Sequence, residues 1–562
     1  MSRFDHECVK GFLHAEGRIL VNGEGEQVIL RGVGIGNWTN PEGFMIGGGM
    51  NNTNPFMEKS FCQPARFERG RSMYSTIAEL CGRDYADTFE SRWYRNYLRR
   101  EDIQAIAQLG FNSIRLPIGS RMLLKEGPGL VFNEDLLQHM DEILDWCEEF
   151  KIYCILDLHA APGGQSGLGC DDGLDNMGRF FFEPETRERG IVIWETLAER
   201  YKDRWIVGGF DLLNEPLSTP MLSDKYEALK DFYDECVSRI RAIDKNHLIT
   251  LEGIVVSSDL RIFDHDYDPE CHNWCIHMHQ YGFNGDAREI YPVLAASRTL
   301  NVPVWYGEGN SGLQEDAVGY EMLAYYGIGF NQWSWKSAGH NGQGMGISIY
   351  ENPKDFDKVS AYFQGGLRPP YEEAIRIFDE VLECVRFEHC VVNEERVRYT
   401  LHQQGITLPA AAYAYGQPQD DLFSRTWFEG NAWAYRTDDQ TRLTLKDGLT
   451  PETGITRNIP GFRPSGRGPL DELLLELHEG EYTTYRIRDL LTRCPVTLKA
   501  RAVEDARICV KSRSLESYID WPKGEFAEKI LLSLPTGAER DVRITVLKGT
   551  LQIDSIRFDS KE

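Results

Sequence analysis

Short apolar runs recur along the first two thirds of the chain, separated by stretches whose apolar residues fall at helical spacing. Eight runs follow in order: VILRGVGIG, FNSIRLPIG, IYCILDLHA, GGFDLLNEP, HLITLEG, WCIHMHQY, VPVWYGEG and GIGFNQWSW. Near-continuous apolar character, as opposed to strict alternation, marks strands buried on both faces of a parallel sheet. Between the second and third runs, Leu136, Met140, Ile143, Cys147 and Phe150 line one face of a helix. Segments 101–109, 187–203, 222–243 and 313–326 read the same way, and Gly110 stands where a helix C-cap belongs. Eight strand-and-helix units predict an α/β fold, a (β/α)8 TIM barrel over residues 1–395.

The grammar breaks in two places. Residues 38–97, after the first strand, form a long insertion rich in Gly, Asn, Met and aromatics. It leaves from the C-terminal end of a barrel strand, so it is expected to wall or cover the mouth. Beyond residue 395 the helical period gives way to short alternating runs such as YTTYRIRDL, VTLKARAV and VRITVLKG. These predict an all-β sandwich over 396–562, packed on the barrel because no low-complexity linker separates them.

Composition narrows the partners. Asp and Glu outnumber Lys and Arg by 87 to 61, a net charge of −26, which argues against nucleic acid and against anionic membranes. No stretch approaches the ~20 apolar residues of a membrane span, and the charged N-terminus has no signal-peptide core, so a cytoplasmic protein is expected. The 13 cysteines are odd in number and several sit in apolar runs, as reduced core cysteines do. Cys271, His272, Cys275, His277 and His279 crowd into one segment. In a strand the last three share one face, without the convergence from two directions that zinc requires, and no metal is expected. Oligomeric state is not legible.

Two strand-end carboxylates carry the chemistry. Glu215 closes the fourth run and Glu308 the seventh, so both are expected to project into the open end of the barrel. One protonated carboxyl and one ionised carboxylate flanking a glycosidic bond are what a retaining glycosidase needs. Arg115 and Tyr281 are placed to hold Glu308 ionised, and Asn214 to donate to a sugar 2-hydroxyl. His159 and His279 are placed to bind hydroxyls or position a carboxyl, and Trp333 to offer an aromatic face. Trp38 and Glu42, in the insertion, are read either as substrate contacts or as loop packing. Asp157 and Asp211 read as structural, Trp305 and Trp335 as packing, and Glu252 as the rival catalytic carboxylate.

Taken together, Arg115 in SIRLP, His159 in DLH, Asn214–Glu215–Pro216, His279 and Tyr281 as H-x-Y, Glu308 in GEG and Trp333 in QWSWK resemble glycoside hydrolase family 5 over residues 15–385. The resemblance implies double displacement with retention, and neither metal nor organic cofactor. Gly309, where the family often has a bulky residue, is a departure. The C-terminal region resembles jelly-roll carbohydrate-binding modules, without pointing to a cleft. The expected activity is exo-acting hydrolysis of short oligosaccharides or glycosides. An endo-β-glucanase or β-mannanase with an appended binding module is the alternative, and a non-catalytic sugar-binding barrel the reading from another class. Which sugar is cleaved stays open.

Overall fold

A computed structural model describes residues 6–47, 67–412 apart from residues 284, 286 and 364, then 442–448 and 469–560. Its first part is a closed barrel of eight parallel strands. They are β1 (Arg31–Gly34), β2 (Ser113–Gly119), β3 (Tyr153–Ala160), β4 (Val207–Asp211), β5 (Ile249–Glu252), β6 (Trp274–His279), β7 (Val304–Glu308) and β8 (Gly329–Trp333). Seven lie within the apolar runs, β4 starts one residue before its run at Val207, and every residue of β2 to β8 is buried. Burial on both faces is why these strands lack alternation. The ring closes where β8 pairs with β1, Trp333 opposite Gly34.

The insertion after β1 is more ordered than its composition suggested. Residues 48–66 lie outside the described residues, but α1 (Gly70–Cys81) and α2 (Arg83–Tyr97) follow, then α3 (Arg100–Leu109). In α2 the buried Ala86, Phe89, Trp93 and Tyr97 sit three or four apart, an amphipathic signal obscured by the charged residues between them. Around the barrel run α4 (Glu134–Phe150), α5 (Pro184–Tyr201), α6 (Tyr226–Arg241), α7 (Ala287–Leu300) and α8 (Leu313–Tyr325). Trp335 is fully buried with its indole N–H on Asp102 of α3, 2.8 Å away, in the packing role expected of it.

The C-terminal part is two antiparallel sheets over a shared apolar core. Its first strand, Ile406–Pro409, begins about ten residues after the expected boundary, because the helix Glu394–Thr400 still packs on α8. One sheet centres on Leu551–Phe558 and the other on Gly537–Lys548. The sandwich docks on α8: Ala317 and Val318 belong to its core, His402 Nε2 meets the Ala317 carbonyl at 2.9 Å, and Arg488 grips Glu321 through two bonds of 2.6 and 3.2 Å. Both partners of that ion pair are buried. Arg488→Ala would strand the Glu321 carboxylate, a change that typically costs about 3–5 kcal/mol. Urea denaturation should report a loss of that size, whereas Arg557→Ala, on an exposed pair, should shift the midpoint little.

Candidate active site

The centre of the barrel mouth is organised by one guanidinium. Arg115 on β2 is fully buried, and all its donating nitrogens are engaged. Nε donates to Asp211 at 2.8 Å and Nη1 to Glu308 Oε2 at 2.8 Å. Nη2 donates to Glu252 Oε1 at 2.8 Å and to Asn214 Oδ1 at 2.9 Å, and lies 3.1 Å from Asp157 Oδ1. Burial opposes its charge, but the four surrounding carboxylates hold it well above the usual guanidinium range. A planar five-donor fork is the side chain suited to this many partners.

The carboxylates around it are not equivalent. Burial pushes Asp157 well above the usual carboxylate range. For Asp211 and Glu252, burial is overcome by neighbouring imidazoles and Arg115, and both are lowered. His277 Nδ1 lies 2.9 Å from Asp211, while its ring packs where a Cβ on Gly307 would stand, 1.9 Å from Nε2. Gly309, on the other side of Glu308, faces the Gln280 carbonyl, and a Cβ there would come within 2.2 Å of that oxygen. The glycine after the strand-end glutamate is therefore required by close backbone approach.

Glu215 and Glu308 meet across this floor, each almost buried at 7% and 6% exposure. One oxygen of each, with a ring nitrogen of His279, all lie within 4.8 Å of one another. Glu308 also accepts a 2.5 Å bond from the Tyr281 hydroxyl, so both its oxygens are held. The Tyr281 phenol is pushed well up by burial of the hydroxyl and by Glu308, which keeps it a donor. Glu215 sits at φ +42°, a left-handed conformation costing a non-glycine residue of order 1 kcal/mol or more. Its Oε1 lies 2.9 Å from His279 Nδ1, and the Cys170 thiol stands 3.8 Å from Oε2. Asn214 gives its oxygen to Arg115, which turns its amide N–H groups away from the floor.

His159 Nδ1 is 2.8 Å from Asp157, and its ring lies parallel to Trp333 at a centroid distance of 5.4 Å. Burial lowers His159 to about 4. Trp333 itself is 3% exposed and seats against Gly34 and Gly36, where a Cβ would clash at 2.5 and 2.7 Å. Glu42 lies at the edge of this cluster: burial, then the charges of Glu308 and Glu215, push it well above the usual range. Trp38 does not join them. Asn37, at φ +71°, turns the chain so that Trp38 is fully buried between α2 and α4, its N–H on the Tyr94 carbonyl at 3.1 Å and its ring beside His139. Of the two readings left open for Trp38, the structure gives packing.

Three triads come close enough to hold a metal ion: Glu252–His277–His279, Glu215–His279–Glu308 and Asp157–Asp211–Glu252. Each shares its donor atoms with Arg115 or with a histidine–carboxylate bond, so the positive charge among them is supplied by protein groups. Among the described residues all twelve cysteines are free.

A wall flanks the site. Asn40 donates to the Cys170 carbonyl at 2.6 Å, Arg69 to the Gly173 carbonyl at 2.6 Å, and Asp172 accepts from the Arg71 backbone at 2.6 Å and from Arg121 at 2.8 Å. The first three bonds join the insertion after β1 to the loop after β3, and the fourth joins that loop to the segment after β2. The sequence did not single out Cys170, Arg69 or Asp172, because their partners lie some 100 residues away.

Residues 80–339 match the family model described as cellulase (glycosyl hydrolase family 5). A β-xylosidase of Phanerodontia chrysosporium is 30% identical over 275 residues, 49% of this chain and 52% of that protein. A probable glucan 1,3-β-glucosidase A of Aspergillus fumigatus is 26% identical over 236 residues, 41% of this chain and 51% of its own. The chain spans about half the length of the curated relatives it matches. Among solved structures, a rutinosidase from Aspergillus niger aligns at 16% identity with a TM-score of 0.44, covering 56% of this chain and 93% of that one.

The state of His159 has a measurable consequence. A histidine held at about 4 when folded and near 6.5 when unfolded stabilises the fold fully above pH 6.5 and loses that contribution as pH falls toward 4. The expected loss is about 3 kcal/mol, from roughly 1.4 kcal/mol per unit. Chemical denaturation should show the stability difference between wild type and His159→Gln shrinking across that window. A difference independent of pH would contradict the buried neutral imidazole.

Proposed function

From the premise that residues 80–339 carry a glycosyl hydrolase family 5 domain, we propose that the chain is a retaining β-glycosidase, with Glu215 as general acid/base and Glu308 as nucleophile. The observation that carries this is the approach of one oxygen from each glutamate to within 4.8 Å. Retaining enzymes space their carboxyl groups by about 5–5.5 Å, and inverting ones leave room for a water at about 6.5–9.5 Å.

The steps follow from the contacts. Arg115 and Tyr281 hold the Glu308 carboxylate in place, and it attacks the anomeric carbon as the bond to the leaving oxygen breaks. Glu215 gives its proton to that oxygen, and the Oε2 side, opposite the oxygen facing His279, is the one available to do so. Water then enters. Glu215 takes its proton, the hydroxyl attacks the anomeric carbon, the ester to Glu308 breaks, and both glutamates return to their starting states. The Asn214 amide is oriented to donate to the sugar 2-hydroxyl as charge develops. His159, Trp333 and Glu42 complete the sugar subsite.

An exo mode draws its support from the wall that the insertion and the loop after β3 build beside Glu42 and Cys170, because a wall across one end of a cleft would admit a terminal sugar and exclude a longer chain. The relatives' names, a β-xylosidase and a glucan 1,3-β-glucosidase, make β-D-xylosides and β-D-glucosides the first probes. The alternative, endo action, would lower the viscosity of a soluble glucan quickly. The sandwich is assigned as a brace for α8.

Aryl β-glycoside hydrolysis should fall by about 10³-fold or more in Glu308→Ala and about 10²–10⁴-fold in Glu215→Ala. Azide should restore turnover as the β-configured glycosyl azide in Glu215→Ala alone. NMR of the first-formed sugar should give the β anomer from the wild type. An α anomer, or undiminished turnover in both variants, would overturn the assignment.

A further inference from the structure

One buried carboxylate at the mouth has no part in those steps, yet it touches Glu215 twice. Glu252 ends β5, and its Oε2 accepts a 2.7 Å bond from the Glu215 backbone N–H, at the residue held at φ +42°. Its Oε1 accepts from Arg115 at 2.8 Å and lies 3.3 Å from His279 Nε2. The other nitrogen of that ring, Nδ1, is the one 2.9 Å from Glu215 Oε1. Glu252 therefore grips the backbone of Glu215 directly and faces its carboxyl through a single imidazole. We propose that Glu252 is a positioning residue that governs the proton of the acid/base: it clamps the Glu215 backbone and sets a negative charge 3.3 Å from His279 Nε2, and so fixes which protons the imidazole facing Glu215 carries. This rests on the glycosidase reading above.

The surroundings leave this role to Glu252. Around His279 stand Glu215 from the β4 loop, Glu252 from β5, Glu308 from β7 with an oxygen 3.8 Å from Nδ1, and His277 on its own strand at a centroid distance of 4.9 Å. Glu252 in turn faces Arg115, Asp157, Asp211 and His277. Arg115 has its charge divided among four carboxylates, and Glu308 is held by Arg115 and Tyr281. Among the described residues, Glu252 is the carboxylate facing Nε2 of His279, the nitrogen turned away from Glu215. Against burial, the charges of Glu252 and Glu308 hold His279 well above the ordinary histidine range. The negative charge 3.3 Å from Nε2 makes the His279 ring, which faces Glu215 through its other nitrogen, keep its proton to higher pH. Removing that charge lets the proton leave earlier, and the acid step then suffers where the leaving group needs it.

The test contrasts leaving groups. Phenyl and 2,4-dinitrophenyl β-D-xylosides or β-D-glucosides, whichever the wild type hydrolyses, are compared in Glu252→Gln and Glu252→Asp. With Glu252→Gln, kcat/KM for the phenyl substrate should fall about 10²-fold, the low end of a general acid's contribution. The dinitrophenyl substrate, which departs without a proton, should change by less than about fivefold, a loss small against that contribution. The alkaline limb of the phenyl pH profile should move down by about one unit, the scale of a single close charge. Glu252→Asp, which keeps the charge, should leave the limb where it is. Equal losses on both substrates with an unmoved limb would reduce Glu252 to a structural residue and overturn the proposal. If Glu252→Gln does not fold, 15N-histidine spectra of the wild type, assigned with His279→Gln, decide it: both ring nitrogens protonated at pH 7 is the expected result, and a neutral ring overturns it. A wild type that hydrolyses neither substrate would remove the glycosidase reading itself, an outcome separate from any contrast between variants.

Discussion

Everything at the mouth of the barrel depends on one positive charge placed where water cannot reach it. Asp157, Asp211, Glu252 and Glu308 converge on Arg115, and without the guanidinium four buried acidic groups would share one low-dielectric space. The geometry follows from that constraint. A guanidinium has a fixed plane, so the carboxylates it binds are fixed relative to each other, and so are the strands that carry them. Arg115 thus ties β2, β3, β4, β5 and β7 together at the mouth of the barrel.

A second constraint is the absence of side chains at chosen points. Gly307 and Gly309 bracket Glu308 because the His277 ring and the Gln280 backbone occupy the spaces that two Cβ atoms would need. Gly34 and Gly36 do the same for Trp333. These glycines let large or rigid groups approach the backbone, and the position of Glu308 is set by that contact as much as by its hydrogen bonds.

Much of this was legible in the sequence, and the limits have physical causes. The eight strands announced themselves because a doubly buried strand is apolar throughout; His279 and Glu308 close their strands, Asn214 and Tyr281 lie just beyond theirs, and Arg115 lies inside β2. The helices α1 and α2 were missed because the charged residues interleaved in α2 masked a regular apolar stripe. Trp38 was ambiguous because its direction depends on the backbone turn at Asn37, a single dihedral that composition does not reveal. The double attachment of Glu252 to Glu215 joins residues 37 positions apart, and nothing local in HLITLEG signals it. Contacts between strand ends are set by barrel closure, and one-dimensional patterns do not carry that information.

The docking of the sandwich on α8 bears on what counts as a module. Ala317, Val318 and Glu321 are finished by residues of the C-terminal sheets, so the helix following β7 has a face made for a partner and not for water. The two parts are therefore not beads that can be exchanged at the join. Shortening the chain to its barrel would bare an apolar strip and the Glu321 carboxylate on the helix after β7, and recombination at this boundary would carry a cost that a flexible linker would have spared.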